Sequence, residues 1–114
     1  MSKYMQIDIR LLPFYERAFT DHFPKLAKTM ENSGYFDSGG PEASLYSLVD
    51  VIRRMNLDPQ VPSSVKERLR PSLEKLMALK EVAREALLAR RLSELDQLLY
   101  KIEDEFEDLE KTLE

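Results

Sequence analysis

Residues Leu92–Glu114 read LSELDQLLYKIEDEFEDLEKTLE, and the apolar positions in that stretch decide the fold. Leu92, Leu95, Leu99, Ile102, Phe106, Leu109 and Leu113 follow one another at alternating steps of three and four residues. That spacing is a heptad seam, which keeps one face of a helix apolar over successive turns. A strand would need a period of two, so the segment is predicted to be helical.

Read backwards, the same register meets Leu88 but then Glu85 and Glu81, so the seam changes phase between Ala89 and Leu92. Either one long helix rotates its buried face there, or a tight turn separates two helices, with Ser93 as cap and Asp96 three residues on. We favour the turn. Upstream, Leu73, Leu76, Leu79, Ala83, Ala86 and Leu87 give a helical stripe from Ser72 onward. Before it, Ser64 and Glu67 match a capping box for a short helix that Pro71 is expected to end or bend.

Leu57-Asp58-Pro59-Gln60-Val61-Pro62 reads as a linker, because each proline pushes its predecessor toward extended geometry. Pro41 and Glu42 mark the start of a helix whose buried stripe is Leu45, Leu48, Val49, Ile52 and Met55. The loop before it, Ser33–Gly40, contains Tyr35 and Phe36, two aromatics expected to pin it to the core.

A further helix is predicted from Pro13, with Phe14, Tyr15, Ala18, Phe19, Phe23, Leu26, Ala27 and Met30 on one face and Asn32-Ser33-Gly34 as its stop. Pro24 either kinks it or ends it near Asp21, with a second helix beginning at Phe23. Met5, Ile7, Ile9 and Leu11 alternate with polar residues. Residues 1–12 are therefore expected to form an extended arm that crosses the bundle or pairs with another chain. The sum is an all-α chain: a small bundle of about four principal helices over residues 13–114, ending in one long helix or a helical hairpin.

The 114 residues carry 43% hydrophobic and 33% charged side chains, with three glycines and no cysteine. Disulfides, thiolate metal sites and thiol catalysis are thereby excluded. No apolar run reaches the ~20 residues of a membrane span, and Met1–Arg10 lacks the basic and apolar blocks of a secretory signal. A cytoplasmic location is expected. The net charge of −4 disfavours general nucleic-acid binding. That charge is unevenly placed: Ser93–Glu114 holds nine acids and two lysines, a net −7, while residues 1–92 carry +3. Lys66, Arg68, Arg70, Lys75, Lys80, Arg84, Arg90 and Arg91 would face the acidic helix in an antiparallel hairpin, as weak solvated pairs. Alternatively, the acids dock on a basic partner.

The chemical inventory is short. Neither the Glu-x-x-His pairs of a di-iron bundle, a calcium loop, a Gly-x-Ser-x-Gly turn nor a phosphate-binding glycine loop occurs, and Ser38-Gly39-Gly40-Pro41 lacks the lysine the last would need. The acids from Glu103 to Glu110 lie outside the seam and read as a solvated face. No catalytic, cofactor-binding or metal-ligating residue is assigned.

The one histidine stands in Asp21-His22-Phe23-Pro24-Lys25. Histidine phosphotransfer domains are acidic four-helix bundles whose exposed histidine is followed three residues later by lysine, and His22 with Lys25 resembles that arrangement. The resemblance covers two residues. It departs at Leu26, where those domains place a small residue, and at Pro24, which interrupts the helix. It implies a signalling domain with His22 as phosphoacceptor, whereas the residues alone read His22 as partly buried or capping.

Three function classes follow. The first is a non-enzymatic adaptor, regulator or chaperone-like protein that binds a protein partner or itself through the Leu92–Leu113 seam. The second is phosphotransfer at His22. The third is a nucleic-acid accessory role through Arg53-Arg54 or Arg90-Arg91.

Overall fold

The computed structural model describes Tyr4 and residues 11–12, 19–35 and 44–113. Among these residues there are five helices and no strand: α1 (Phe19–His22), α2 (Pro24–Asn32), α3 (Leu45–Leu57), α4 (Ser63–Leu88) and α5 (Leu92–Thr112). The chain is all-α, as the seam requires. The expected extended arm and the helix start at Pro13 lie outside the described residues, apart from exposed Tyr4 and Leu12 and half-buried Leu11. Phe36, Pro41 and Glu42 lie outside them too.

The seam's phase change is a turn. α4 and α5 pack along each other as an antiparallel hairpin joined by Ala89-Arg90-Arg91. α4 closes when the N–H of Arg90 donates to the carbonyl of Leu87 (3.1 Å) and that of Arg91 to Ala86 (2.8 Å). This pair of bonds is a Schellman motif, which places Arg90 in the left-handed region at φ 57°. The expected cap at Ser93 is corrected. Arg91 is the N-cap of α5 and makes no side-chain cap bond, because the motif has already turned the chain before Ser93 is reached. Arg91 Nε instead pairs with Glu94 Oε2 across the first turn at 3.0 Å.

Of the two expected effects of Pro71, to end or to bend the helix opened near Ser64, the first is corrected. α4 runs unbroken for 26 residues from Ser63, with Pro62 as N-cap and no side-chain cap from Ser64. Pro71 removes one N–H, yet Pro71 and Glu67, whose carbonyl loses its donor, are both exposed, so water can take that carbonyl. Meanwhile Leu69, Ser72, Leu73 and Leu76 carry the buried stripe straight past the proline.

α3 begins at Leu45, where the Ser44 hydroxyl accepts the N–H of Ser47 at 3.3 Å. It ends at Asp58, which is extended because Pro59 follows. The linker then drops Val61 into the core, and Asn56 Nδ2 donates to the carbonyl of Lys66 at 3.1 Å, tying the end of α3 to the first turns of α4.

At Pro24 the chain takes the second of the two expected courses: α1 stops at His22, Phe23 sits between helices at φ −132°, and α2 starts at the proline. The N-cap Phe23 has no side-chain acceptor and Pro24 has no N–H. The first donors needing partners are therefore those of Lys25 and Leu26. Both donate to one carboxylate on another helix: Lys25 to Glu110 Oε2 and Leu26 to Glu110 Oε1, each at 2.9 Å. α2 closes in a second Schellman motif, Gly34 N–H to Glu31 (3.0 Å) and Tyr35 N–H to Met30 (2.8 Å), with Gly34 at φ 77°. As expected of a loop anchor, Tyr35 packs against the core, and its hydroxyl donates to Asp58 Oδ2 at 2.7 Å.

The core lies where α2 and α3 cross the hairpin. Phe106 sits at its centre, fully buried, with Phe23 edge-on at 6.2 Å, and Leu26, Met30, Ile52, Met55, Leu69 and Leu76 are fully buried in the same cluster.

Candidate interaction surface

The seven seam residues divide in two. Leu95, Ile102, Phe106, Leu109 and Leu113 are buried in this chain's own core, and Leu99 is half-buried against it. Leu92, at the start of α5, keeps 56% of its surface exposed. Four residues earlier in the chain, across the turn, Leu88 is 69% exposed. The hairpin tip is thus two bare leucines around Arg90 and Arg91.

A second stripe emerges beside the seam. Leu92, Asp96, Tyr100, Glu103 and Glu107 are all exposed and follow at steps of four, four, three and four residues. On a helix such steps bring side chains above one another along one face. Tyr100 is 61% exposed. It falls outside the heptad, so a search for seam positions passes over it; its four-residue spacing from Asp96 was the available clue.

Electrostatics on this face are one-sided. The antiparallel hairpin sets α4 beside α5, but among the described residues no ion pair joins the two helices; those present are Lys80–Asp50, Arg84–Glu81 and Arg91–Glu94. Lys80 is taken up by α3, where its ammonium also lies 4.5 Å from the centre of the Tyr46 ring. Asp96, Glu103, Asp104, Glu107 and Asp108 have no cation partner among the described residues. Partial burial, and after it the charges of Asp104, Glu107 and Asp96, holds the Glu103 carboxyl above its usual value. One α5 acid has a different task. Glu110, read from sequence as part of the solvated acidic face, caps α2.

The other candidates are placed as follows. His22 is exposed in the last turn of α1, so of the two readings, partly buried or capping, the burial is corrected. The helix break at Phe23 separates it from Lys25, whose backbone N–H is held by Glu110. Arg53 and Arg54 are exposed on α3, and Arg90 and Arg91 at the hairpin tip. Among the described residues no group of three or more His, Asp or Glu side chains is placed to hold a metal ion, and no helix is long and apolar enough to cross a membrane. The chain matches no family model, no curated protein and no solved structure.

Proposed function

We propose that this chain is a non-enzymatic protein–protein interaction module, an adaptor, regulator or chaperone-like helical protein working in the cytoplasm through its helix faces. The observation that carries the reading is the exposure of Leu88, Leu92 and Tyr100 on a hairpin whose other side already fills the core. Single exposed hydrophobics are ordinary. Here Leu92 and Tyr100 stand two turns apart on one face of α5, with Leu88 across the turn, where a partner can remove them from water. Of the seam, Leu92 and Leu99 offer surface to a partner, and the five buried positions hold the helix that presents them. The inventory of one histidine and no cysteine agrees with a binding role.

The test combines light scattering after gel filtration at two concentrations with pull-down from the protein's own cell extract, using wild type and a Leu92→Ser/Tyr100→Ser variant. The expected result is a concentration-dependent oligomer or a retained protein, lost or weakened in the variant. A strict monomer that retains the same proteins as its variant ends the reading.

A further inference from the structure

From the outer face of α5 we infer the chemistry of the partner: a basic amphipathic helix of about four turns, laid along Leu92, Asp96, Tyr100, Glu103 and Glu107. The inference rests on the interaction reading above and makes it specific.

Length comes from geometry. Leu92 to Glu107 spans fifteen residue steps, roughly 22 Å of helix axis at 1.5 Å per residue. A partner of comparable length can follow the whole stripe. The anchors come from exposure: Leu92 and Tyr100 stand out from α5 two turns apart, and half-buried Leu99 forms the floor beside them. An apolar stripe on an incoming helix, at matching three- and four-residue steps, can bury these side chains.

The sign of the partner's charge comes from what the fold leaves unpaired. Asp96 lies between the two apolar anchors and Glu103 and Glu107 follow the second; among the described residues none of the three has a cation partner, although α4 packs alongside with Arg and Lys on its surface. Their mutual repulsion is relieved when Lys or Arg side chains settle between them, which adds association rate and specificity to the affinity from the leucine and tyrosine. At the tip the acids give way to Arg90 and to Arg91, the latter already paired with Glu94, beside Leu88. The partner's basic residues therefore lie over residues 96–107, and its end over the tip is apolar or acidic.

The experiment is a two-dimensional amide NMR titration of the full-length chain with three synthetic peptides of about sixteen residues. One carries leucines at helical spacing flanked by lysines, one is its scrambled isomer, and one replaces its leucines by serine. The expected result is a set of shifts confined to residues 88–107. Affinity is expected to fall about tenfold for each control peptide, for the Leu92→Ser/Tyr100→Ser variant and for Glu103→Gln/Glu107→Gln. Equal binding of the scrambled peptide, shifts spread over all acidic positions, or no binding by any peptide overturns the proposal. So does a second copy of the chain occupying the stripe in the light-scattering experiment. If the pull-down retains a partner whose binding segment is acidic or uncharged, the basic assignment falls while the interaction reading stands.

Discussion

Gly34 and Arg90 occupy the same position of the same motif: each is the left-handed residue that closes a Schellman end, at φ 77° after α2 and φ 57° after α4. Glycine adopts that geometry at no steric cost, whereas a side chain there costs roughly 1 kcal/mol. Arg90→Gly is therefore expected to stabilise the fold by about that amount, visible as a higher urea midpoint. Gly34→Ala should destabilise by a similar amount, even though a Cβ there meets nothing within 4 Å. If both substitutions shift the midpoint the same way, the backbone argument is wrong.

Glu110 supplies both acceptors for the first free donors of α2, so its loss leaves them to water. Glu110→Ala should cost about 1 kcal/mol, in line with the loss of an N-cap. Glu110→Gln keeps one acceptor oxygen and should lose less. Amide hydrogen exchange at Lys25 and Leu26 checks the assignment directly: faster exchange confined to α2 is expected, and unchanged protection there would contradict it.

Tyr35 and Asp58 give the fold a pH dependence. The hydrogen bond from Tyr35, and then the Gln60 N–H at 2.8 Å, hold the Asp58 carboxyl below its ordinary value of 3.8. A carboxyl whose folded pKa is depressed contributes stability above its unfolded value, and that contribution disappears as pH falls through the folded one. Wild type should lose stability on acidification below about pH 4 more steeply than Tyr35→Phe. Thermal melts of both proteins from pH 6 down to pH 3 measure the difference; parallel curves would remove Asp58 from the explanation.

The two halves of the seam should respond differently to truncation. Phe106 is fully buried against Phe23, so Phe106→Ala is expected to cost about 3–5 kcal/mol. Leu92→Ala removes exposed surface and should change stability by less than about 0.5 kcal/mol. Comparable losses at both sites would mean that Leu92 is covered in solution.

The parts of this fold that sequence made legible are those written in one continuous period. α5 follows from its heptad, and the hairpin from the phase change before it. Pro71 does not end α4 because of its phase: it falls opposite Leu69, Leu73 and Leu76, and the stripe turns it toward solvent. The end of α4 was hidden differently. Its marker residue would be glycine, and arginine stands there instead. Glu110 capping α2 and Tyr35 bonding Asp58 join residues 85 and 23 positions apart, and no local pattern encodes such pairs. On the candidate surface, Leu92 and Leu99 came from the seam, while Tyr100 emerged only once the helix was wrapped and its outside could be seen.

The clasp between α2 and α5 also orders events in time. Lys25, in the first turn of α2, finds its acceptor 85 positions downstream. At a synthesis rate of ~5–20 residues per second, that interval is on the order of 4–17 seconds. Through that interval the first turn of α2, at Lys25 and Leu26, is without its acceptor. The hairpin needs no such delay, since its two arms are joined by three residues. The cap of α2 is thus completed only as synthesis nears residue 110, and a stop a few codons earlier would remove it together with buried Leu113, uncapping one helix as well as shortening another.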